Sequence, residues 1–491
     1  MNDSSSVPRL VATLREELKR YSDGEKLPSN RALVTRYQVS PVTVSRAIAA
    51  LATEGLVISR PGAGVFKATS RRGTSAALGD VSWQEVALSA DPPHATRDPG
   101  PRRTDASGVL ANLTAPPPEV IDLNGGYLHP ALQPERALAA ALARAGRRPG
   151  TWSRPPVEGL AELRDWFARD IGGPSGPLDA SDVLITAGGQ GALTTALRGL
   201  GSPGSPVLVE SPAYPGVLAV ARAAGLRPVP VPVDADGVRT DLLAEAFEAT
   251  RSRAFVCQPL FHNPTGAVLS SPRRAEVLRV ARAAGAFVVE DDFARRLAHA
   301  DSPTLPPPLA ADDPDGVVVH VRSLTKAASP SLRIGALTAR GPALERLRAI
   351  QVVDSFFVSR PLQETALELV GSPAWTRHLR MLAGALRDRR SALLTALSDA
   401  LPALVPRQPP RGGYHLWLRL PDGSDAAASA ATALRQGVAV TAGGPYFTAE
   451  APAPHIRLSY VSTPGTAQLG EGVRQLRQAL APNSTLASGL R

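Results

Sequence analysis

Five short, almost wholly apolar runs recur between residues 182 and 321: Asp182-Val-Leu-Ile-Thr186, Pro206-Val-Leu-Val209, Arg253-Ala-Phe-Val-Cys257, Ala286-Phe-Val-Val289 and Val317-Val-Val-His-Val321. Runs this short, with little polar alternation, suit strands buried on both faces. Between them lie Ala/Leu/Arg-rich segments at about 190–199, 216–225, 241–250 and 271–285 that read as helices. Strands and helices in alternation give an α/β fold, a mainly parallel sheet covered on both sides. Ligands of such sheets bind beyond the carboxyl ends of the strands. The residues just after each run are therefore where chemistry is expected.

Each run is followed by a distinctive segment. Thr186-Ala-Gly-Gly189-Gln190-Gly191 opens a helix, and its glycines let backbone amides approach an anion at the positive helix end. Glu210-Ser-Pro-Ala-Tyr214-Pro215-Gly216 presents a flat ring, or is only a proline-stiffened turn. In Gln258-Pro-Leu-Phe-His-Asn263-Pro264-Thr-Gly266, Asn263 offers an amide donor on what is otherwise an ordinary loop former. Glu290-Asp291-Asp292-Phe293 ends a buried strand with carboxylates, which are costly there unless a cation or water faces them. Finally, Ser323-Leu-Thr-Lys326-Ala-Ala-Ser-Pro-Ser-Leu-Arg333-Ile-Gly335 combines an amine suited to imine chemistry with hydroxyls and a permanent cation suited to phosphate. Each segment alone is weak evidence. All five in order, each beyond a strand, are hard to obtain by chance.

The set resembles the fold-type I pyridoxal 5′-phosphate enzymes of the aspartate aminotransferase kind. The resemblance implies a PLP-dependent transferase fold over residues 119–483, with a small C-terminal α+β subdomain. It also implies roles. Lys326 would form the internal aldimine and Asp291 would pair with the pyridine nitrogen. Asn263 would meet the ring oxygen and Tyr214 would stack on the ring. Gly189, Gln190, Ser323 and Arg333 would hold the phosphate. His455-Ile-Arg457-Leu-Ser resembles the family's carboxylate-binding arginine, which assigns Arg457 to a substrate or effector. Two departures stand out. Phe293 occupies a place where the family commonly has a Tyr, and Arg154 takes the register of another Tyr, from where it could neutralise a dimer partner's phosphate.

Residues 1–68 read differently. Val7, Leu10, Val11, Leu14, Leu18 and Tyr21 recur at helical spacing, a short helix follows over 31–37, and Ser40-Pro41 caps a third helix that runs to about Glu54. Val44, Ala47, Ile48 and Leu51 form the third helix's apolar face, which turns Val42, Arg46, Ala49 and Thr53 outward and leaves Thr43 and Ser45 on the flanks. Residues 56–60 and 64–67 form two strands joined by Pro61-Gly62-Ala63-Gly64. Three helices and a hairpin describe a winged helix-turn-helix, whose third helix enters a major groove. The segment carries ten Lys/Arg against six Asp/Glu. Leu27-Pro-Ser-x-Arg31, Val39-Ser-x-x-Thr43-Val44, Leu51-x-x-Glu54-Gly55-Leu56 and Gly62-x-Gly64 resemble the GntR group of bacterial regulators. That resemblance implies DNA contacts from Arg31, Ser40, Thr43, Ser45 and the wing at Gly62. Arg46 joins them from the exposed face of the helix. Pro41 stands where the group often has a DNA-contacting Arg, which bears on operator preference and not on fold.

Residues 69–118, rich in Pro and charge, read as a flexible connector, with a short helix conceivable over 82–90. A GntR-like head on an aminotransferase-like body resembles the MocR subfamily of GntR regulators, as does Trp375-Thr-Arg-His378-Leu-Arg380-Met381 followed by Arg389-Arg390. The subfamily implies a homodimer that binds double-stranded DNA at direct or inverted repeats and senses an amine, an amino acid or PLP itself. The net charge of +10 suits an anionic partner, and the single Cys257 excludes internal disulfides and cysteine-rich metal sites. No metal site is expected. No run is long and apolar enough for a membrane span, and no secretion signal opens the chain, which points to the cytoplasm. Three functions compete: a PLP-dependent sensor of transcription with little or no turnover, an active aminotransferase with a DNA-binding head, and a dimerisation platform that has lost the cofactor. The missing hydroxyls favour the sensor.

Overall fold

In the computed structural model the first unit opens with three helices, Ser6–Leu18, Asn30–Tyr37 and Pro41–Thr53. Serine caps start the second and third. Ser29 Oγ accepts from Ala32 N at 3.2 Å, Ser40 Oγ accepts from Thr43 N at 3.1 Å, and Pro41 holds the first helical position. Leu10, Leu14, Leu33, Val44, Ala47 and Leu51 make the small core. Strands β1 (Val57–Arg60) and β2 (Gly64–Lys67) form the antiparallel wing.

The structure describes residues 6–18, 20–21, 24–54, 56–60, 64–68, 106–173, 176, 178–449, 451 and 453–481, and the chain divides into two units, Met1–Ala90 and Asp91–Arg491. The helix conceivable over 82–90 and the wing residue Gly62 lie outside the described residues. The connector expected over 69–118 is shorter at its far end. Residues Ser107–Leu113 form a helix packed against the helix Pro215–Ala223 of the second unit. Its apolar Gly-Val-Leu-Ala stretch was hidden by the prolines at 116–118.

In the second unit a two-residue strand, β3 (Ile121–Asp122), precedes the main sheet. That sheet comprises β4 (Val183–Thr186), β5 (Pro206–Ser211), β6 (Arg227–Asp234), β7 (Gly237–Val238), β8 (Ala254–Cys257), β9 (Phe287–Asp291), β10 (Val318–Ser323) and β11 (Gly335–Thr338), in the order β4-β11-β10-β9-β8-β5-β6-β7. All five expected runs are strands. The neighbours from β10 to β6 pair in parallel, while β11 runs antiparallel to both β10 and β4. Three strands of this sheet were not legible, the two-residue β7 among them. Prolines at 228, 230 and 232 disguise β6, which sits next to the sheet edge where lost donors are tolerated. The four residues of β11 were absorbed into the lysine segment.

A C-terminal subdomain pairs β12 (His415–Arg419) with β15 (His455–Ser459) and β15 with β14 (Thr441–Ala442), and β13 (Val438–Ala439) reaches back to β3. The helices Pro373–Ala400, Ala426–Arg435 and Thr466–Leu480 cover it, which makes it α+β as expected. Among the described residues no helix is long and apolar enough to cross a membrane.

Strand parity sorts the chemistry. Val289, Val319 and Val321 face the helices Gly188–Leu200 and Pro215–Ala223, and so do the next residues of that parity, Asp291 and Ser323. Val288 and Val318 face the other layer, as do Glu290, His320 and Arg322. Arg322 is only 1% exposed and donates to Asp170 at 2.7 Å and Asp292 at 3.0 Å. Arg295 adds a second bond to Asp292 at 2.5 Å. Glu290 accepts from Leu309 N, Ala310 N and His320 Nδ1. Glu290, Asp292 and His320 lie close enough to suggest a metal cluster, but two guanidinium groups hold Asp292 and backbone amides occupy Glu290. A cation there would meet like charge. Removing one partner of a buried pair leaves an uncompensated charge. Arg322→Ala is therefore expected to lower stability by about 3–5 kcal/mol in urea unfolding followed by circular dichroism.

Candidate functional site

Nine residues expected at the cofactor or its ligand come together. Gly189, Gln190, Tyr214, Asn263, Asp291, Ser323, Lys326 and Arg333 line one cavity, with Phe293 on its wall. Arg457 lies just beyond, its Nη1 3.4 Å from Asn263 Oδ1. A wider cleft lined by Asp234, Asp301, Arg390 and Arg407 gathers no comparable set, since Arg390 is paired with Asp301.

Lys326 Nζ donates to Gly126 O at 2.8 Å and sits 3.9 Å from the Tyr127 ring centroid. Burial, then the nearby Arg457 and Arg333 charges, lower its pKa to about 7 against the pull of Asp291. A lysine with that value is half neutral at neutral pH and so nucleophilic. His378 braces the lysine's turn by donating from Nε2 to Ala327 O at 2.7 Å.

Asp291 is buried, which raises its pKa to about 6 even though Gln258 Nε2 donates to Oδ2 at 2.7 Å. Gln258 also accepts from Asn263 N at 3.0 Å, so one amide orients both residues. Behind it, burial raises Glu210 to about 8 and lowers His262 to about 3. Their 3.4 Å approach has the geometry of an ion pair, but burial leaves both groups neutral at pH 7.

The opposite end of the cavity is built for an anion. The helix Gly188–Leu200 begins immediately after β4 with no side-chain cap, so its first amides are open to a ligand. Gly188 adopts φ +75°, and a side chain there would meet Arg333 Nη2 at 2.9 Å. Arg333, at φ +49°, reaches Ala187 O at 2.8 Å. Thr325 Oγ1 is buried with no partner among the described residues, and Ser323 Oγ accepts from Thr325 N. An orphaned hydroxyl, a serine, a guanidinium and uncapped amides make a donor set for phosphate. Tyr214 Oη approaches Gln190 Oε1 at 3.4 Å, and its ring lies over Gly216, where a Cβ would come within 2.2 Å of the ring. The residues therefore fit pyridoxal 5′-phosphate.

Other residues of the site were not anticipated. Thr325 was hidden inside the lysine segment. Gln258 opens the Asn263 segment, but no pattern marks its reach to Asp291. Tyr127 and Tyr414 each follow a Gly-Gly pair after or before a strand, a signal that could have found them. Tyr414 Oη donates to Gly126 O at 2.7 Å. Arg154 is exposed and lies outside this chain's own cavity.

In the first unit, Arg31, Ser40, Ser45 and Arg46 are exposed, with Val42 and Ala49 beside them. Thr43 is a correction. It is buried, and its hydroxyl lies 2.8 Å from Ser40 Oγ, because the cap turns it inward toward the helix start.

Residues 118–476 match the family described as aminotransferase class I and II, and residues 8–66 match the gntR family of bacterial regulatory proteins. The chain is 33% identical to the 2-aminoadipate transaminase of Thermus thermophilus, across 78% of this chain and 95% of that protein. It is 27% identical to the Escherichia coli HTH-type transcriptional regulator YdcR, across 90% and 92%. The crystal structure of LysN, an α-aminoadipate aminotransferase from T. thermophilus complexed with N-(5′-phosphopyridoxyl)-L-leucine, superposes with a TM-score of 0.71 at 32% identity, covering 77% of this chain and 95% of LysN. The aminotransferase class I and II family uses pyridoxal phosphate.

Below pH 7 the Lys326 amine is charged and unreactive, and above it the amine is neutral. The rate of cofactor capture by protein stripped of cofactor is therefore expected to rise with pH through about 7 and then level off, in stopped-flow absorbance.

Proposed function

The chain belongs to the aminotransferase class I and II family and, by its fused gntR-family head, to the MocR subfamily of GntR-type transcriptional regulators, and on that footing we propose that it is a PLP-dependent sensor whose ligand state sets its binding to DNA. The observation that carries this is the cavity itself: a buried lysine, carboxylate, amide, ring and phosphate-binding set lie within one chain that also bears a DNA-reading head. When bound, pyridoxal 5′-phosphate supplies an aldehyde that condenses reversibly with amines and a ring that withdraws electrons.

The chain's own residues do the rest. Lys326 offers a neutral amine at physiological pH because burial disfavours its charge. Asp291 waits as a buried carboxylate for a cationic ring nitrogen, and Gln258 keeps it aimed. Asn263 presents its amide beside Arg457, and Tyr214 offers a stacking face. Ser323, Thr325, Arg333, Gly189 and Gln190 bind the phosphate, and Arg457 binds the carboxylate of an amino acid effector. Phe293 leaves the cavity without a hydroxyl at that wall, which weakens proton management and favours sensing over turnover.

The active-transaminase reading draws on one specific observation, the retained lysine, aspartate and arginine set together with 33% identity to a transaminase. Steady conversion of amino and keto acids by purified protein would favour it, and no conversion across the common amino acids would favour the sensor. The sensor works in the cytoplasm on double-stranded DNA with repeated half-sites. Exposed Arg31, Ser40, Ser45 and Arg46 form its contact face.

A homodimer fits the exposed apolar side chains of Trp152 (84%), Val353 (78%) and Phe356 (70%). Gln351 Nε2 links the two segments concerned by donating to Val157 O at 3.4 Å. Arg154, on the same loop as Trp152, would then face a partner's phosphate site.

Three results are expected. Lys326→Ala loses the cofactor's visible absorption band and, with it, any amino acid effect on operator affinity in gel shifts; a persistent effect would point to the cofactor-free platform. Arg31→Ala weakens operator binding and lowers the slope of log affinity against log salt by about one. Trp152→Ser combined with Phe356→Ser shifts the sedimentation profile toward monomer.

A further inference from the structure

Arg457 is tied to a segment that leads out of the site. Its Nη2 donates to Asn124 O at 2.6 Å and to Thr441 Oγ1 at 3.3 Å, while Nη1 reaches His415 Nε2 at 3.2 Å and Asn263 Oδ1 at 3.4 Å. Thr441 Oγ1 in turn donates to Asn124 Oδ1. These two acceptors of Nη2 therefore converge on one residue, Asn124. The other end of the same amide, Asn124 Nδ2, donates to Ala111 O at 2.6 Å. Ala111 belongs to the helix Ser107–Leu113, the first described helix after residue 68.

That helix lies at the surface. Its described residues are intermediate or exposed, with Leu110 at 57% and Leu113 at 53%, and no side chain caps its start. It rests on two prolines that adjoin the site. A Cβ at Gly108 would come within 2.9 Å of Pro445 Cβ and 3.5 Å of Pro215 Cβ. Pro215 follows Tyr214, and Pro445 precedes Tyr446, whose ring lies 5.6 Å from the Arg457 guanidinium. The segment on the near side is held by the lysine as well, through Gly126 O.

We infer that Asn124 is a positioning residue that relays occupancy of Arg457 to the helix Ser107–Leu113, and so to the connector leading to the DNA-binding head. A carboxylate that accepts from both terminal nitrogens of Arg457 competes with acceptors already in place. On the Nη2 side those acceptors are the Asn124 carbonyl and the hydroxyl bonded to its side chain. Loosening them releases a side chain that ties the cavity wall to the helix. A ligand shifts such an element only by binding its two states unequally, and competition for Asn124 is that difference. The inference rests on the proposed role of Arg457 as the carboxylate-binding residue.

Cys257 is the single cysteine and is buried, so full-length Leu110→Cys protein accepts one environment-sensitive thiol dye on the helix. The probes are pyridoxal 5′-phosphate alone and N-(5′-phosphopyridoxyl)-L-leucine, which adds a carboxylate. The adduct is expected to shift the dye's emission well beyond the effect of pyridoxal 5′-phosphate. Asn124→Ala in the same background should lose that extra shift while adduct affinity changes by less than about tenfold. Gly108→Leu, which forces the helix off its prolines, should start near the adduct-bound emission and respond little. A silent dye in protein that binds the adduct overturns the relay and leaves the cofactor reading intact, as does a full shift in Asn124→Ala. A wild-type response from Gly108→Leu counts against it too. Failure of the unlabelled protein to bind either probe overturns the cofactor reading, and the relay with it.

Discussion

One buried guanidinium holds the frame of the site. Arg322 bridges Asp170, on the helix Ala161–Gly172, to Asp292, just past the end of β9. It comes from β10, one residue before Ser323. The pair therefore pins together the ends of the two strands that deliver Asp291 and the Ser323–Lys326 segment. Desolvating these charges is expensive, and the arrangement holds only because both carboxylates are also bonded to Arg295 or Arg296. Registry follows from the same alternation of side chains. On these strand ends one parity joins the ion network, and the other faces the cavity.

On the cavity side, burial rather than pairing sets the chemistry. It pulls Lys326 down to about 7 and pushes Asp291 up to about 6, which places a nucleophilic amine and an uncommitted carboxylate in one small space. The neighbouring Glu210 and His262 show the same force, each driven to its neutral form. A cationic ring nitrogen and a phosphate dianion would complete the electrostatics that the bare side chains leave open. Sensing and turnover share this machinery, and they differ in how well protons are handled once an amine is bound. Phe293 weighs on that balance, and the tyrosines at 127 and 414 bring hydroxyls back from another direction.

Much of the molecule was legible before folding. Ser29 and Ser40 caps, glycine stops and a 3.6-residue apolar period marked the head's helices, because those signals are local. Five strands were legible because their apolar runs are continuous. The losses also have physical causes. Pro-rich β6 reads as a loop since its tolerance depends on a position near the edge of the sheet. Thr43 has the polarity of a surface residue, yet the cap it completes turns it inward. The helix Ser107–Leu113 is too short and too near a proline tract to stand out.

The sequence by itself determined the inventory and order of the site: a lysine, a carboxylate, an amide, a ring, a glycine-rich helix start and an arginine, each after a strand, behind a helix-turn-helix head. Residue type and strand period suffice for that, since both are properties of the chain. Only the tertiary structure decided which of them meet. Gln258 reaches Asp291, Lys326 rests on Gly126 and Tyr127, and Asn124 joins Arg457 to a helix near the connector. These contacts span up to hundreds of residues and depend on sheet order and the packing of the C-terminal subdomain, neither of which a local pattern encodes.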